Sequence, residues 1–388
     1  MKIAMIIHKL NISGGVQRHV LSVAHELIKE GHNVKIYTFI FKPENCFPGL
    51  LPGLEIISLK NYSPLRKLSD SHKENRAAKE LAFLIDKDTD VLNPHDQVCY
   101  KTAYYFKKKI KNTQSVWTMH DMPSKRWFFW RESQFRPLKL NILKKIIYRC
   151  IDKYNILPYL KAQDKILVLG ERDRGWLKEY FGLDSKIIRN GLDAAVFPFF
   201  PRTSPERSVK ILMSGIFSVH RRFEDGIAAV KILRNKGYDA TVSIIGDTSA
   251  DKEYFKKIND LISSLGLLEK VFILGRVEEL NLLAAYKNHD IFIFPNHLQS
   301  WGLAVFEAMA SGLPVVVSKG AGASEVLEDC KTAMLVPPLA PQAIASAVEI
   351  LIQNQPFYGE LSRSGRKFVE ENVSWSRLAK DYEKYFHE

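Results

Sequence analysis

Cysteine is scarce in this chain: Cys46, Cys99, Cys150 and Cys330 are the only 4 among 388 residues, far apart and without metal-type pairing. That excludes a disulfide framework and a structural zinc site, and suits reduced thiols in a cytosolic setting. No apolar run approaches the ~18 residues of a membrane-spanning helix. The opening MKIAMIIHKLNISGG is broken by His8 and Lys9 and lacks a small-residue cleavage site, so it is expected to be a first strand and not an export signal. Paired aspartates and histidine clusters suited to a metal are missing. So are the dinucleotide fingerprint and the phosphate-loop lysine, any short-period repeat and any low-complexity tract.

What is present suits two globular domains. The chain is long for one domain, and a composition of 46% hydrophobic and 26% charged residues allows substantial cores. The formal charge of +13 is uneven: residues 101–150 hold thirteen Lys or Arg against Asp121 and Glu132, a local surplus of 11. Aromatics such as Tyr104, Trp127, Phe128 and Trp130 are interleaved there. Such a region is compatible with an anionic membrane or nucleic acid, or is simply a solvated face with core aromatics between.

Strand and helix patterns alternate throughout. Lys2–Ile7 reads as a strand, Gly14-Gly15 as a loop, Val16–Lys29 as a helix and Val34–Ile40 as the next strand, which opens a parallel doubly wound domain. Adjacent glycines at a strand's carboxyl end let backbone amides approach an anion. Residues 41–75 are expected to be irregular apart from a strand at Leu54–Ser58. Ser115–Met119 then delivers His120 and Asp121 to a strand end, where open sheets place chemistry. His120 can donate a hydrogen bond to a hydroxyl or orient a phosphate, with Asp121 setting its tautomer or the loop geometry; alternatively it is a structural histidine. Ile142–Tyr154 and Pro158–Gln163 read as helices, and the polar, proline-containing segment Pro198–Ser208 as a boundary.

A second alternation begins at Val209–Ser214, followed by Gly215 and His220-Arg221-Arg222. It culminates in strand Ile291–Pro295, helix Leu303–Ala310 and strand Val315–Val317. Glu307, flanked by Val305, Phe306, Ala308 and Met309, is expected to be buried and to reach a hydroxyl, an amide or a cation; the alternatives are a loop cap or a lysine pair.

IFIFPNHLQSWGLAVFEAMASGLPVVVSKGAGASE resembles the nucleotide-sugar signature of retaining glycosyltransferases of the GT-B type, family four in particular. GGVQRHVLSVAHELIKEGHNV, which includes Arg18, is similar to that family's first loop and helix, VWTMHDMP to its strand-end histidine motif, and GIFSVHRRFEDG to its phosphate-gripping segment. The resemblance runs through nearly the whole chain. It implies an α/β GT-B fold, two Rossmann-like domains facing across a cleft: an acceptor-binding domain over 1–197, with helix 373–388 packing back on it, and a nucleotide-sugar domain over 198–372. Arg222 matches the family's usual phosphate-binding lysine, with Arg221 as a possible second cation because Ile216 stands where one usually follows Gly215. The alternative is that both arginines merely pair with Glu224 and Asp225. Glu307 would accept from the ribose hydroxyls, and the amides of Gly302, Leu303 and Ala304 would face the diphosphate. Gln299 replaces the glutamate that usually contacts the transferred sugar, implying altered donor preference, slower chemistry or binding without turnover. Glu325 matches a frequent family acid or caps its own helix. His120 would be a positioning and charge-stabilising group.

The implied activity is transfer of a hexose-type sugar from a UDP- or GDP-sugar to a lipid-linked or polysaccharide hydroxyl, with no metal or other cofactor and no nucleic-acid partner. The setting would be bacterial cell-surface glycan assembly, in the cytoplasm and peripheral on the inner face of the membrane through 101–150. A soluble sugar or sugar-phosphate acceptor, or a catalytically impaired nucleotide-sugar-binding protein, are the alternatives.

Overall fold

A computed structural model describes residues 1–60, 62, 71–136 and 141–388. Parts of the irregular stretch 41–75 and of the basic region 101–150 lie outside the described residues. The chain divides into two units, Met1–Gly191 with Trp375–Glu388, and Leu192–Ser374.

The first unit is built on β1 (Lys2–Leu10), β2 (Asn33–Phe41), β3 (Glu55–Ser58), β4 (Val91–Pro94), β5 (Gln114–Met119), β6 (Lys165–Val168) and β7 (Lys186–Ile187). They form one parallel sheet in the order β3-β2-β1-β4-β5-β6-β7. Ile3 of β1 lies opposite both Val34 of β2 and Val91 of β4, so the chain order reverses on either side of β1. Ligands of open parallel sheets bind at such a switch point, beyond the carboxyl ends of the strands.

The second unit repeats the plan with β8 (Ser208–Ser214), β9 (Asp239–Ile245), β10 (Val271–Gly275), β11 (Ile291–Phe294), β12 (Val315–Ser318) and β13 (Met334–Val336). Its parallel order β10-β9-β8-β11-β12-β13 puts the switch between β8 and β11. β11 (IFIF) and β12 (VVVS) are buried along their whole length. Their uninterrupted apolar sequences are what a sheet covered by helices on both faces requires.

The terminal helix Trp375–His387 packs on the helix Gly15–Lys29, where Tyr382 reaches His19 and His32 Nε2 meets Glu383 Oε1 at 2.6 Å. The turn after Gly191 belongs to the second unit: Leu192 bridges Ser374, and Arg366 Nη1 donates to the carbonyls of Ala194 and Phe197.

Two local expectations are corrected. Helix Lys125–Ser133 was not foreseen, because KRWFFWRES has no apolar stripe; it starts where Ser124 Oγ accepts from Trp127 N. The helix expected over Ile142–Tyr154 stops at Cys150 and continues as a wider π turn, Ile151–Ile156.

Candidate functional site

In the second unit, the expected donor residues gather beyond β8 and β11. Gly215 follows β8 with φ +148°, and a Cβ there would come within 3.1 Å of Arg221 Nε, so the Arg221 side chain lies across this glycine's backbone. Arg221 Nη1 then donates to Gln299 Oε1 at 2.7 Å. Asn296 Nδ2 donates to the same oxygen.

Gln299 is held from behind by backbone. The segment 298–301 pairs with the glycine-rich stretch 320–323: Leu298 N donates to Gly320 O, Gly322 N to Gln299 O and Ala323 N to Trp301 O, all at 2.9–3.0 Å. Gly322 permits that approach, since a Cβ on it would sit 1.8 Å from the Ser300 carbonyl oxygen. Oε1 of Gln299 is thus fixed on two donors.

Gly302 caps the next helix at φ +123°, where an added Cβ would strike the Phe294 ring at 2.7 Å. Within Leu303–Ala310, Val305, Phe306, Ala308 and Met309 are buried. The i, i+1, i+4 set Leu303, Ala304 and Glu307 occupies the more open face. Glu307 is therefore only partly buried, contrary to expectation; its apolar neighbours in sequence point the other way. Its Oε2 accepts from Tyr286 OH at 2.8 Å, one of the hydroxyl partners anticipated for it.

Arg222 makes the alternative pairing set out for it, with Glu224 and Asp225. It adopts φ +54° and turns its guanidinium back onto the following helix, to both oxygens of Asp225 at 2.7 and 3.0 Å and to Glu224 at 2.9 Å. Glu224 is also held by Tyr254 OH and Lys257. Arg222 is the hub of an ion-pair network, and Arg221 is the cation at the Gln299 loop. Glu325 ends the 3-10 turn Gly322–Glu325, whose N-cap is Ala321, so it does not cap its own helix.

In the first unit, Gly14 precedes helix Gly15–Lys29 without a side-chain cap. A Cβ on Gly14 would meet Gln17 Oε1 at 2.6 Å, and Gln17 Nε2 in turn donates to Lys9 O. Arg18 stacks over the Phe47 ring at 4.6 Å.

His120 sits in a cluster that sequence reasoning missed. His19, His95 and His120 bring ring nitrogens within 4.8 Å of one another, although they are far apart in the chain. His95 follows β4, and its Nδ1 meets His120 Nε2 at 3.2 Å while its Nε2 meets Asn93 Oδ1 at 2.6 Å. His19 Nδ1 meets Asn190 Oδ1 at 2.8 Å and His19 Nε2 meets Tyr382 OH at 2.9 Å. Tyr382 OH also meets Thr118 Oγ1 at 2.8 Å. His120 is 7% exposed and the other two histidines are closed off.

Burial pushes the His19 imidazole down to about 4 and holds His95 and His120 well below the ordinary histidine range, with neighbouring histidines adding to the effect on both. Both nitrogens of His19 and of His95 have hydrogen-bond partners within the protein. Asp121 is exposed, and the group on His120 Nε2 is His95. Asp121 instead helps burial to push the Asp96 carboxyl up to about 6.

Two family models cover most of the chain. Residues 13–196 match Glycosyltransferase Family 4 and residues 198–368 match Glycosyl transferases group 1. The chain is a GT-B glycosyltransferase related to these families. A phosphatidyl-myo-inositol mannosyltransferase of Mycobacterium tuberculosis is 25% identical, covering 98% of this chain and 94% of its own. Among solved structures, a sucrose-phosphate synthase from Thermosynechococcus elongatus superposes with a TM-score of 0.78 at 18% identity, over 100% and 98% of the two chains. Anabaena HepE in complex with UDP-glucose gives 0.74 at 16% identity, over 100% and 99%.

The transferase's basic region is less of a surface than its composition suggested. Lys101 is buried and bonds Glu74, Lys107 pairs with Asp164, Arg126 with Asp152, and Trp127 lies in the core. Helix Ile142–Cys150 is different. Ile142, Leu143, Ile146 and Ile147 are all exposed, and at 3.6 residues per turn they share one side while Lys144, Lys145 and Arg149 share the other. No helix among the described residues is long and apolar enough to cross a membrane.

Proposed function

We propose that this glycosyltransferase moves a hexose-type sugar, with retention of configuration, from a UDP- or GDP-sugar to a hydroxyl of a lipid-linked or polysaccharide acceptor. The observation that carries the reading is the Arg221–Gln299 hydrogen bond beside Gly215, with the helix that follows Gly302 carrying Leu303, Ala304 and Glu307 on its more open face. Glu307 offers acceptors only, which suits the paired hydroxyls of a ribose. Arg221 and the amides of Gly302, Leu303 and Ala304 at a helix amino end suit a diphosphate, whose negative charge grows as the sugar departs. Arg222 supports this site from behind.

The second unit binds most of the donor and the first the acceptor; His120 and the donor-binding Gly14 and Gly15 belong to the first unit. The leaving phosphate takes part in deprotonating the incoming hydroxyl on the same face, and no metal is required. Gln299 offers a neutral amide where a glutamate would place charge, which changes donor preference or slows the reaction. The chain works at the cytoplasmic face of a bacterial membrane, held by helix Ile142–Cys150 lying in the interface. A soluble sugar-phosphate acceptor is the second reading, favoured by the likeness to sucrose-phosphate synthase.

Thermal melts with UDP-, GDP- and ADP-sugars test the donor assignment. One base series should raise the melting temperature, by the equivalent of about 2.7 kcal/mol at a hundredfold excess over Kd. That donor should then release nucleoside diphosphate when acceptor is added. Stabilisation without release across a broad acceptor panel would favour a protein that binds but does not transfer.

A further inference from the structure

The histidine cluster carries more information than proximity, because two backbone groups orient every proton in it. The Val116 carbonyl can only accept, so the group 2.7 Å from it must be the amide nitrogen of Asn93. That turns Asn93 Oδ1 toward His95, whose Nε2–H donates to it. A neutral imidazole has one donor and one acceptor, so His95 Nδ1 is the acceptor and His120 Nε2–H donates to it. His120 is then left with a lone pair on Nδ1, and no described residue bonds that atom.

The other end gives a compatible answer. Gly191 N donates to Asn190 at 3.1 Å, which fixes that atom as the oxygen and makes His19 Nδ1–H a donor to it. His19 Nε2 accepts from Tyr382 O–H, Tyr382 accepts from Thr118, and Thr118 accepts from Asn93 Nδ2 at 3.3 Å. Assigned from opposite ends, the two chains of protons meet at Asn93 without conflict. Burial keeps all three imidazoles neutral, as this pattern requires.

We propose that Asn93 and His95 are positioning residues that fix His120 as a hydrogen-bond acceptor at Nδ1, so that the ligand group it meets is a proton donor such as a sugar hydroxyl and not an ionised phosphate oxygen. This reverses the role expected from sequence, in which His120 donated to a hydroxyl or oriented a phosphate. It leaves the diphosphate to Arg221 and the helix amides. Only the identity of the hydroxyl rests on the glycosyltransferase reading; the tautomer does not.

Two measurements test it. Long-range proton–nitrogen spectra of the full chain with ring-15N histidine, assigned through His19→Gln, His95→Gln and His120→Gln, should show His120 and His95 protonated on Nε2 and His19 on Nδ1 at neutral pH. A proton on His120 Nδ1, or an imidazolium, overturns the proposal. This readout needs no substrate, so its failure is distinct from a failure to transfer sugar.

The second measurement is turnover. His95→Phe keeps the ring and removes both nitrogens; His95→Gln restores one donor and one acceptor on a single group. With the donor that stabilises the protein, His95→Phe should lower kcat about tenfold with donor KM unchanged, and His95→Gln should recover most of the loss. Equal kcat in the two variants overturns the positioning role. If His95→Phe fails to fold, wild-type His120 protonated on Nδ1 overturns the proposal by itself.

Discussion

Tyr382→Phe removes one oxygen from the interior of the first unit. That hydroxyl, fully buried, donates to His19 Nε2 at 2.9 Å and accepts from Thr118 at 2.8 Å. Its loss strands two groups. Thr118 can rotate its hydroxyl, but His19 cannot adapt, because its proton is committed to Asn190 Oδ1 on the opposite nitrogen. At about 1–3 kcal/mol for each buried group left without a partner, the combined cost is about 3 kcal/mol. For a unit of this size that is a fall of about 6–12 °C in melting temperature. Five of the 6 tryptophans, all except Trp301, belong to the first unit, so tryptophan fluorescence follows its unfolding. In a His19→Leu background, where the stranded nitrogen is gone, Tyr382→Phe should cost much less, and the difference is the coupling of the pair. A loss below about 0.5 kcal/mol in the wild-type background, or two losses that simply add, would refute the reasoning.

The two adjacent arginines should separate cleanly. Arg221→Met should leave the melting temperature nearly unchanged and lower kcat/KM about 100-fold, as removal of a preorganised charge donor does. Arg222→Met should destabilise the second unit by about 3 kcal/mol by leaving Asp225 and Glu224 less compensated, while the folded fraction keeps its nucleotide affinity; matching effects from the two variants would contradict the division of labour. Acid should weaken the fold. Burial lowers His8 and His19 from 6.5 to about 4, so between those values the unfolded chain binds more protons, and stability complete above pH 6.5 is lost as pH falls toward 4. At pH 5 that amounts to about 2 kcal/mol each, with about 1 kcal/mol returned by Asp96, so urea midpoints that do not fall between pH 7.5 and 5 would contradict the burial of neutral histidines. Replacing Ile146 and Ile147 together by Glu should abolish sedimentation with anionic vesicles at moderate salt without altering turnover of a soluble acceptor analogue; unchanged sedimentation would remove helix Ile142–Cys150 as the anchor.

Much of the architecture was legible because buried parallel strands are written as apolar runs and their helices as periodic ones; Leu303–Ala310 was anticipated to the residue. The losses have physical causes. Glu307 looked buried because its sequence neighbours are apolar, yet a helix sends residues 305, 306, 308 and 309 inward while 307 shares a face with 303 and 304. Arg221 and Arg222 cannot be told apart by composition; the positive φ at 222 sends one guanidinium back to Asp225 while the other reaches Gln299. The histidine cluster was invisible because β1–β4–β5 adjacency, and a helix returning from the far end of the chain, bring its members together. His95 and His120 each stand at the end of an apolar strand, but nothing in the sequence joins them to each other or to His19.

Time-resolved nucleotide release from the donor that stabilises the protein most, with wild type, Glu307→Ala and Gln299→Glu run side by side, tests the central claim most directly. Acceptor-dependent release of nucleoside diphosphate by wild type, abolished in Glu307→Ala and altered in rate or sugar preference in Gln299→Glu, is the predicted result. Release that is indifferent to Glu307, or absent from both wild type and Gln299→Glu with every donor and acceptor, would contradict it.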